Sequence, residues 1–174
     1  MEAYENLLAF ERARGVTVRE RDLPATEDET IKGAYSPDLS TMVLGSASTA
    51  EDSDGLQTLV HESAHSILHD TRCMPVPTPD AEYLAGYDDS PEEIEANATA
   101  LLVLQRLGVP LEIDDGTVIS PKDWHVTEDA LREQLDPLTA RRVLWAADVL
   151  VRAAHEGAGA APLAAGCPVR GPHR

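Results

Sequence analysis

Apolar and polar positions alternate along the chain in patterns that change period several times. Residues 2–14 carry Leu7, Leu8 and Phe10 in an otherwise charged stretch that stops at Gly15, the signature of an amphipathic helix. Val16-Thr17-Val18 alternates as a short strand. Beyond an acidic linker (Glu27-Asp28-Glu29), the runs 31–35 and 41–44 flank Ser36-Pro37-Asp38. Proline there suits a type I turn, so a β-hairpin is expected. Residues 45–53 are polar and read as a loop.

Residues 55–69 form a second expected helix, with Asp54 as N-cap and Gln57 three residues on in a variant capping box. Residues 70–90 hold Pro75, Pro77 and Pro79 and read as a long loop. A third helix opens at Ser90-Pro91 and ends at Gly108 and Pro110. Residues 111–126 read as irregular, and Thr127 opens a short helix over 128–135. Asp136-Pro137 starts the last helix, to about His155, with Ala140, Leu144, Ala147, Val151 and Ala154 at helical spacing. From Glu156 the chain is rich in Gly, Ala and Pro, so residues 156–174 are expected to be a disordered tail. The pattern as a whole predicts one α+β domain over residues 1–155.

Composition narrows what such a domain can do. The 174 residues are 43% hydrophobic, too apolar for wholesale disorder, and 4% aromatic, so the core is aliphatic. A net charge of −17 repels phosphate, which argues against direct nucleic-acid contact and against docking on anionic membranes. Cys73 and Cys167 form no CxxC pair, and the charged opening segment MEAYENLLAFERARG has no signal-peptide pattern. A cytoplasmic location is expected.

The second helix carries His61-Glu62-Ser63-Ala64-His65, an HExxH sequence. Histidines four apart are one turn apart and only about 40° out of line, so both imidazoles can reach one ion. Glu62 points about 100° away from His61, beside the ion, where it can take a proton from activated water. Leu56, Leu59, Val60, Ser63, Ala64, Ile67 and Leu68 share one arc, so the histidines are expected to face away from the main packing surface. A merely solvated polar face is the plainer alternative, but it gives no reason for histidines at this spacing.

A third ligand is expected from the next helix. Glu93 shares a stripe with Ala96, Asn97, Ala100, Leu101 and Leu104, whereas Glu92 and Glu95 share the opposite side with Thr99, Leu102 and Arg106. An acid on the apolar stripe is costly unless compensated, and a bound cation would compensate it. Asn97, one turn on, could hold a ligating imidazole by its second nitrogen. Glu93 could instead close a capping box with Ser90, which leaves Glu95 as the fallback ligand. His69 and Cys73 continue the four-residue spacing, but four successive turns span roughly 18 Å, too far for one ion. His69 therefore reads as a supporting or helix-capping residue, and Cys73 as a packed or idle thiol. Tyr83, Tyr87 and His125 are candidates for polarising a substrate carbonyl or its oxyanion, with packing roles as the alternative.

His61-Glu-Ser-Ala-His-Ser-Ile-Leu-His69 followed by Glu93-x-Glu-Ala-Asn97 resembles the ImmA/IrrE-type metallopeptidases and the peptidase domain of ArdC-like antirestriction proteins. The resemblance covers about residues 15–155 and is concentrated in 56–105. It implies a small zincin-like fold, one Zn²⁺ held by His61, His65 and Glu93, and Glu62 as catalytic base. It also implies a protein or peptide substrate cleaved in trans, such as a transcriptional repressor of a mobile element or stress response. The sheet edge could present that substrate as an added strand. A non-catalytic zinc-binding regulatory or antirestriction module that keeps the fold is the alternative expectation.

Overall fold

A computed structural model describes residues 2–21, 32–45, 53–69, 91–109, 112–114, 117–120, 124–127, 135 and 137–165. Helix α1 (Glu2–Ala13) buries Tyr4, Leu7, Leu8 and Phe10 along one face. It ends in a Schellman motif: the Val16 N–H donates to the Glu11 carbonyl and the Gly15 N–H to that of Arg12, both at 3.0 Å. Gly15 supplies the left-handed residue this closure requires, at φ 87°.

Strand β1 (Thr17–Arg21) follows at once. Strands β2 (Gly33–Ser36) and β3 (Thr41–Gly45) form the expected antiparallel hairpin. β1 pairs parallel with β3, which makes β3 the central strand of the order β1-β3-β2. Met42 and Leu44 on β3 are fully buried. The sheet rests on helix α2 (Ser53–Leu68) through β2 and β3.

Helix α2 is the centre of the fold and packs also on α1, α3 (Pro91–Arg106) and α4 (Pro137–Glu156). Leu59, Val60, Ala64, Ile67 and Leu68 of α2 join Ala96, Ala100, Val103 and Leu104 of α3 in one core with Ala146, Ala147 and Leu150 of α4. The alanines let the helix axes approach closely. Helix α3 ends as α1 does: Val109 donates to Leu104 at 3.0 Å and Gly108 to Gln105 at 3.1 Å, with Gly108 at φ 73°. The chain is thus a mixed α+β protein, and no described helix is long and apolar enough to cross a membrane.

Two expectations are corrected. The stretch expected to be irregular forms strands β4 (Glu112–Asp114), β5 (Thr117–Ser120) and β6 (Trp124–Thr127), an antiparallel meander in the order β4-β5-β6. Paired Asp114 and Thr117 are separated by Asp115-Gly116, a two-residue hairpin signal.

The tail is also structured further than its composition implies. Residues Gly157–Ala165 continue as a 3-10 helix packed on α1 and α4, with Ala160 fully buried. Asn6 of α1 donates its side-chain amide to the Ala154 carbonyl at 2.9 Å and fixes the approach. Gly157, Gly159 and Pro162 lower the local helix propensity, while the small side chains of the segment let its backbone lie close against α1. The acidic linker 27–29, the loop 70–90, residues 128–134 of the helix expected over 128–135 and residues 166–174 lie outside the described residues; Leu135 is described and is not helical.

Candidate metal centre

His61 and His65 stand one turn apart on α2, and α3 brings Glu93 over both. Glu93 Oε2 is 3.2 Å from His61 Nε2, and Glu93 Oε1 is 3.2 Å from His65 Nε2. The two Nε2 atoms are 3.0 Å apart. All three residues offer a ligand atom within 4.8 Å of the others. Tetrahedral zinc ligands about 2.0–2.1 Å from the ion lie roughly 3.3 Å from one another, so these spacings fit one ion. Two imidazole nitrogens and a carboxylate are also a donor set that such an ion takes.

Glu62 lies beside this group and is 6% exposed. Its carboxyl sits against Gly33 of the edge strand β2, where a β-carbon would meet it at 2.9 Å. Burial pushes the Glu62 pKa above the ordinary carboxylate range, and the nearby Glu93 charge adds to this, against the opposing pull of His61 and His65. Burial also opposes ionisation of Glu93, but hydrogen bonds and charge from His61 and His65 win and hold its pKa below the usual range. His65 is desolvated, yet Glu93 and Glu62 raise its pKa above the ordinary imidazole value. Two neighbouring carboxyls, Glu62 with its pKa raised and Glu93 with its pKa lowered, are thus pushed apart by their environments.

Behind His65 the structure places a second line of polar groups. His69, one residue past α2, has Nδ1 2.9 Å from His65 Nδ1. Its Nε2 lies 3.4 Å from Glu95 Oε2. Arg142 of α4 approaches that oxygen at 3.1 Å and Glu95 Oε1 at 3.3 Å, and donates to the Leu68 carbonyl at 2.9 Å. Burial lowers the His69 pKa, with Glu95 opposing and His65 assisting.

These positions revise part of the expected layout. The histidine face of α2 is covered by α3, so it is a packing surface and not an open one. Glu95 is 7% exposed and engaged with His69 and Arg142, because α4 covers the side of α3 expected to face solvent. It is not placed as a ligand beside Glu93. Asn97 is buried, and its Oδ1 has no hydrogen-bond partner among the described residues. The second nitrogen of His65 meets His69, not Asn97. Tyr83, Tyr87 and Cys73 lie outside the described residues, and His125 is placed only as backbone within β6.

Sequence reasoning missed three features. Arg142 carried no signal, since nothing local marks a cation on α4 as the partner of an acid on α3. Gly33 did carry one, because a glycine inside a strand pattern marks close backbone approach. The third is a buried cluster on the far side of α2. Ser66 donates its hydroxyl toward Glu11 (2.9 and 3.0 Å), while Arg14 donates to the Ser66 hydroxyl at 2.7 Å and to its carbonyl at 2.8 Å. This ties α1 to α2 next to His65.

No family model matches the chain, and no curated protein or solved structure does either.

Proposed function

We propose that the chain is a zincin-like zinc metallopeptidase that hydrolyses a peptide bond in a protein substrate in trans, and that it acts in the cytoplasm. The observation that carries this is the convergence of His61 Nε2, His65 Nε2 and the Glu93 carboxylate, with 3.0–3.2 Å between neighbouring donor atoms, beside a buried Glu62. His61, His65 and Glu93 would hold the ion. When bound there, zinc supplies a Lewis acid for the substrate carbonyl and brings the pKa of water to about 7.

Glu62 does the proton work. Its carboxylate takes one proton from the attacking water as the water oxygen bonds to the carbonyl carbon. It then gives that proton to the amide nitrogen as the C–N bond breaks, so acid and amine leave with the proton count balanced. A carboxyl whose pKa is raised by burial is better matched to both steps than an ordinary surface glutamate. The edge strand β2, resting directly on Glu62 at Gly33, suits the alignment of an extended peptide next to the base.

The test is metal content of the purified chain together with Glu62→Gln, assayed on a peptide library read by mass spectrometry. One zinc per chain is expected in both proteins, with hydrolysis in the variant reduced about 10²–10⁴-fold. A wild-type chain that retains no divalent metal overturns the proposal. So does a zinc-loaded Glu62→Gln protein with undiminished cleavage.

A further inference from the structure

Resting on the zinc site proposed above, we infer that His69, Glu95 and Arg142 are positioning residues that lock His65 in one tautomer and one orientation for metal binding. His65 Nδ1 and His69 Nδ1 are 2.9 Å apart, so one of them donates and the other accepts. His65 turns its Nε2 toward Glu93 and His61, the side on which an ion would bind. A neutral imidazole that ligates through Nε2 carries its proton on Nδ1. His69 Nδ1 is then the acceptor, and the His69 proton sits on Nε2. That nitrogen lies 3.4 Å from Glu95 Oε2, and both atoms are buried without a hydrogen-bond partner among the described residues, so each is placed to satisfy the other.

Arg142 completes the line. Its guanidinium lies against both oxygens of Glu95 and also donates to the Leu68 carbonyl at the end of α2. Arginine is a donor with no acceptor, so the Glu95 oxygens meet a fixed donor on the α4 side and the line has a fixed end. Read outward from His65, a donor faces an acceptor at each step, and Arg142 on α4 closes the line. Glu95 thereby acquires a role distinct from that of Glu93 two residues earlier. One acid faces the ligand atoms and the other faces the support behind them. A carboxylate or carbonyl behind a ligating histidine is usually one group deep; here a second imidazole is inserted and the carboxylate is reached through it.

The experiment measures Zn²⁺ affinity of the full chain by competition with a chromophoric chelator. The proteins compared are wild type, His69→Phe, Glu95→Gln, Arg142→Ala and Arg142→Lys. Circular dichroism and thermal melts report folding. His69→Phe keeps the ring volume but removes the acceptor, and its zinc Kd should rise about 10–100-fold. Arg142→Ala should weaken binding in the same direction, with partial rescue in Arg142→Lys. Long-range ¹H–¹⁵N spectra of the zinc-loaded wild type should place the His65 proton on Nδ1 and the His69 proton on Nε2. Loss of the protected His65 Nδ1 proton is expected in His69→Phe.

A wild type that binds no zinc sinks the metal site itself. A wild type that binds, with folded His69→Phe and Glu95→Gln proteins of unchanged affinity, leaves that site standing and overturns the positioning role. Should His69→Phe fail to fold, Glu95→Gln decides alone: a several-fold loss supports the role and an unchanged Kd overturns it.

Discussion

A β-carbon at residue 33 would lie 2.9 Å from both Cγ and Oε1 of Glu62, and 2.7 Å from Cγ2 of Thr58. The edge strand therefore reaches α2 only because Gly33 has no side chain. Gly33→Ala must push either β2 or the Glu62 carboxyl aside. The three atoms nearest that β-carbon belong to Thr58 and Glu62 and none to His61, His65 or Glu93, so the two effects separate. Peptidase activity should fall about 10–100-fold, the range expected when a catalytic group is displaced by about 1 Å. Zinc affinity should stay within a few-fold of wild type. Parallel measurement of kcat/KM and metal content checks this, and a large loss of zinc would show that the glycine supports the ligands as well.

Glu93 and Glu95 differ in what they face, so neutralising each should give different results. Glu93→Gln removes an anionic ligand from both histidines, and zinc affinity should drop by more than the 10–100-fold expected of a supporting group. Glu95→Gln removes the acceptor-only group, since an amide can turn its NH2 toward His69 and no longer fixes the tautomer, and its several-fold loss should be the smaller of the two. Chelator competition on both proteins, side by side, gives the order. A reversed order would transfer the ligand role to Glu95.

The sequence made the chemistry more legible than the tertiary frame. HExxH declares a metal-facing helix side through spacing alone, and the apolar stripe of α3 singles out Glu93 by its cost there. Gly15 and Gly108 mark helix ends because only a left-handed residue closes a Schellman motif. What could not be read was anything decided by a third element. Glu95 looks solvent-facing on a helical wheel, which has no means of showing that α4 brings Arg142 to it. The parallel pairing of β1 with β3 is a long-range choice that neither strand encodes locally. The β4–β5 pairing was legible in principle, since Asp115-Gly116 between Ile113 and the run Thr117-Val118-Ile119 is a hairpin signal.

The Glu11 cluster predicts a pH dependence of stability. Burial pushes the Glu11 carboxyl from 4.5 up to about 7, against the lowering effects of Arg14, Ser66 and Ser63. A raised carboxyl pKa means the folded state holds the proton more tightly than the unfolded chain. The stability this contributes is complete below about 4.5 and is lost as pH rises to about 7. A shift of this size corresponds to up to about 3 kcal/mol. Arg14 stays charged throughout, so its lost partner in Glu11→Gln adds only a constant offset. Denaturant unfolding of wild type minus Glu11→Gln should therefore decline for the wild type from pH 4.5 to 7 and level off above that. A flat difference would show that Arg14 keeps Glu11 ionised in the fold.

The segment whose composition suggested a tail packs on α1 and α4. Ala160 is fully buried where the 3-10 helix Gly157–Ala165 meets α1, and Asn6 ties the preceding helix end to the same surface. If this contact belongs to the folded core, a charge placed there has no solvent to face. Ala160→Asp should then cost about 2–4 kcal/mol, the range for an uncompensated buried polar group, and lower the melting temperature by several degrees. Pro162 is exposed in the same segment, and Pro162→Ala should change stability by less than about 1 kcal/mol. The pair removes general effects of mutating the C-terminal region. An equally small effect of both substitutions would return this stretch to the role of a tail. A large effect of Ala160→Asp alone makes it the outer layer over α1, and extends the domain to Ala165.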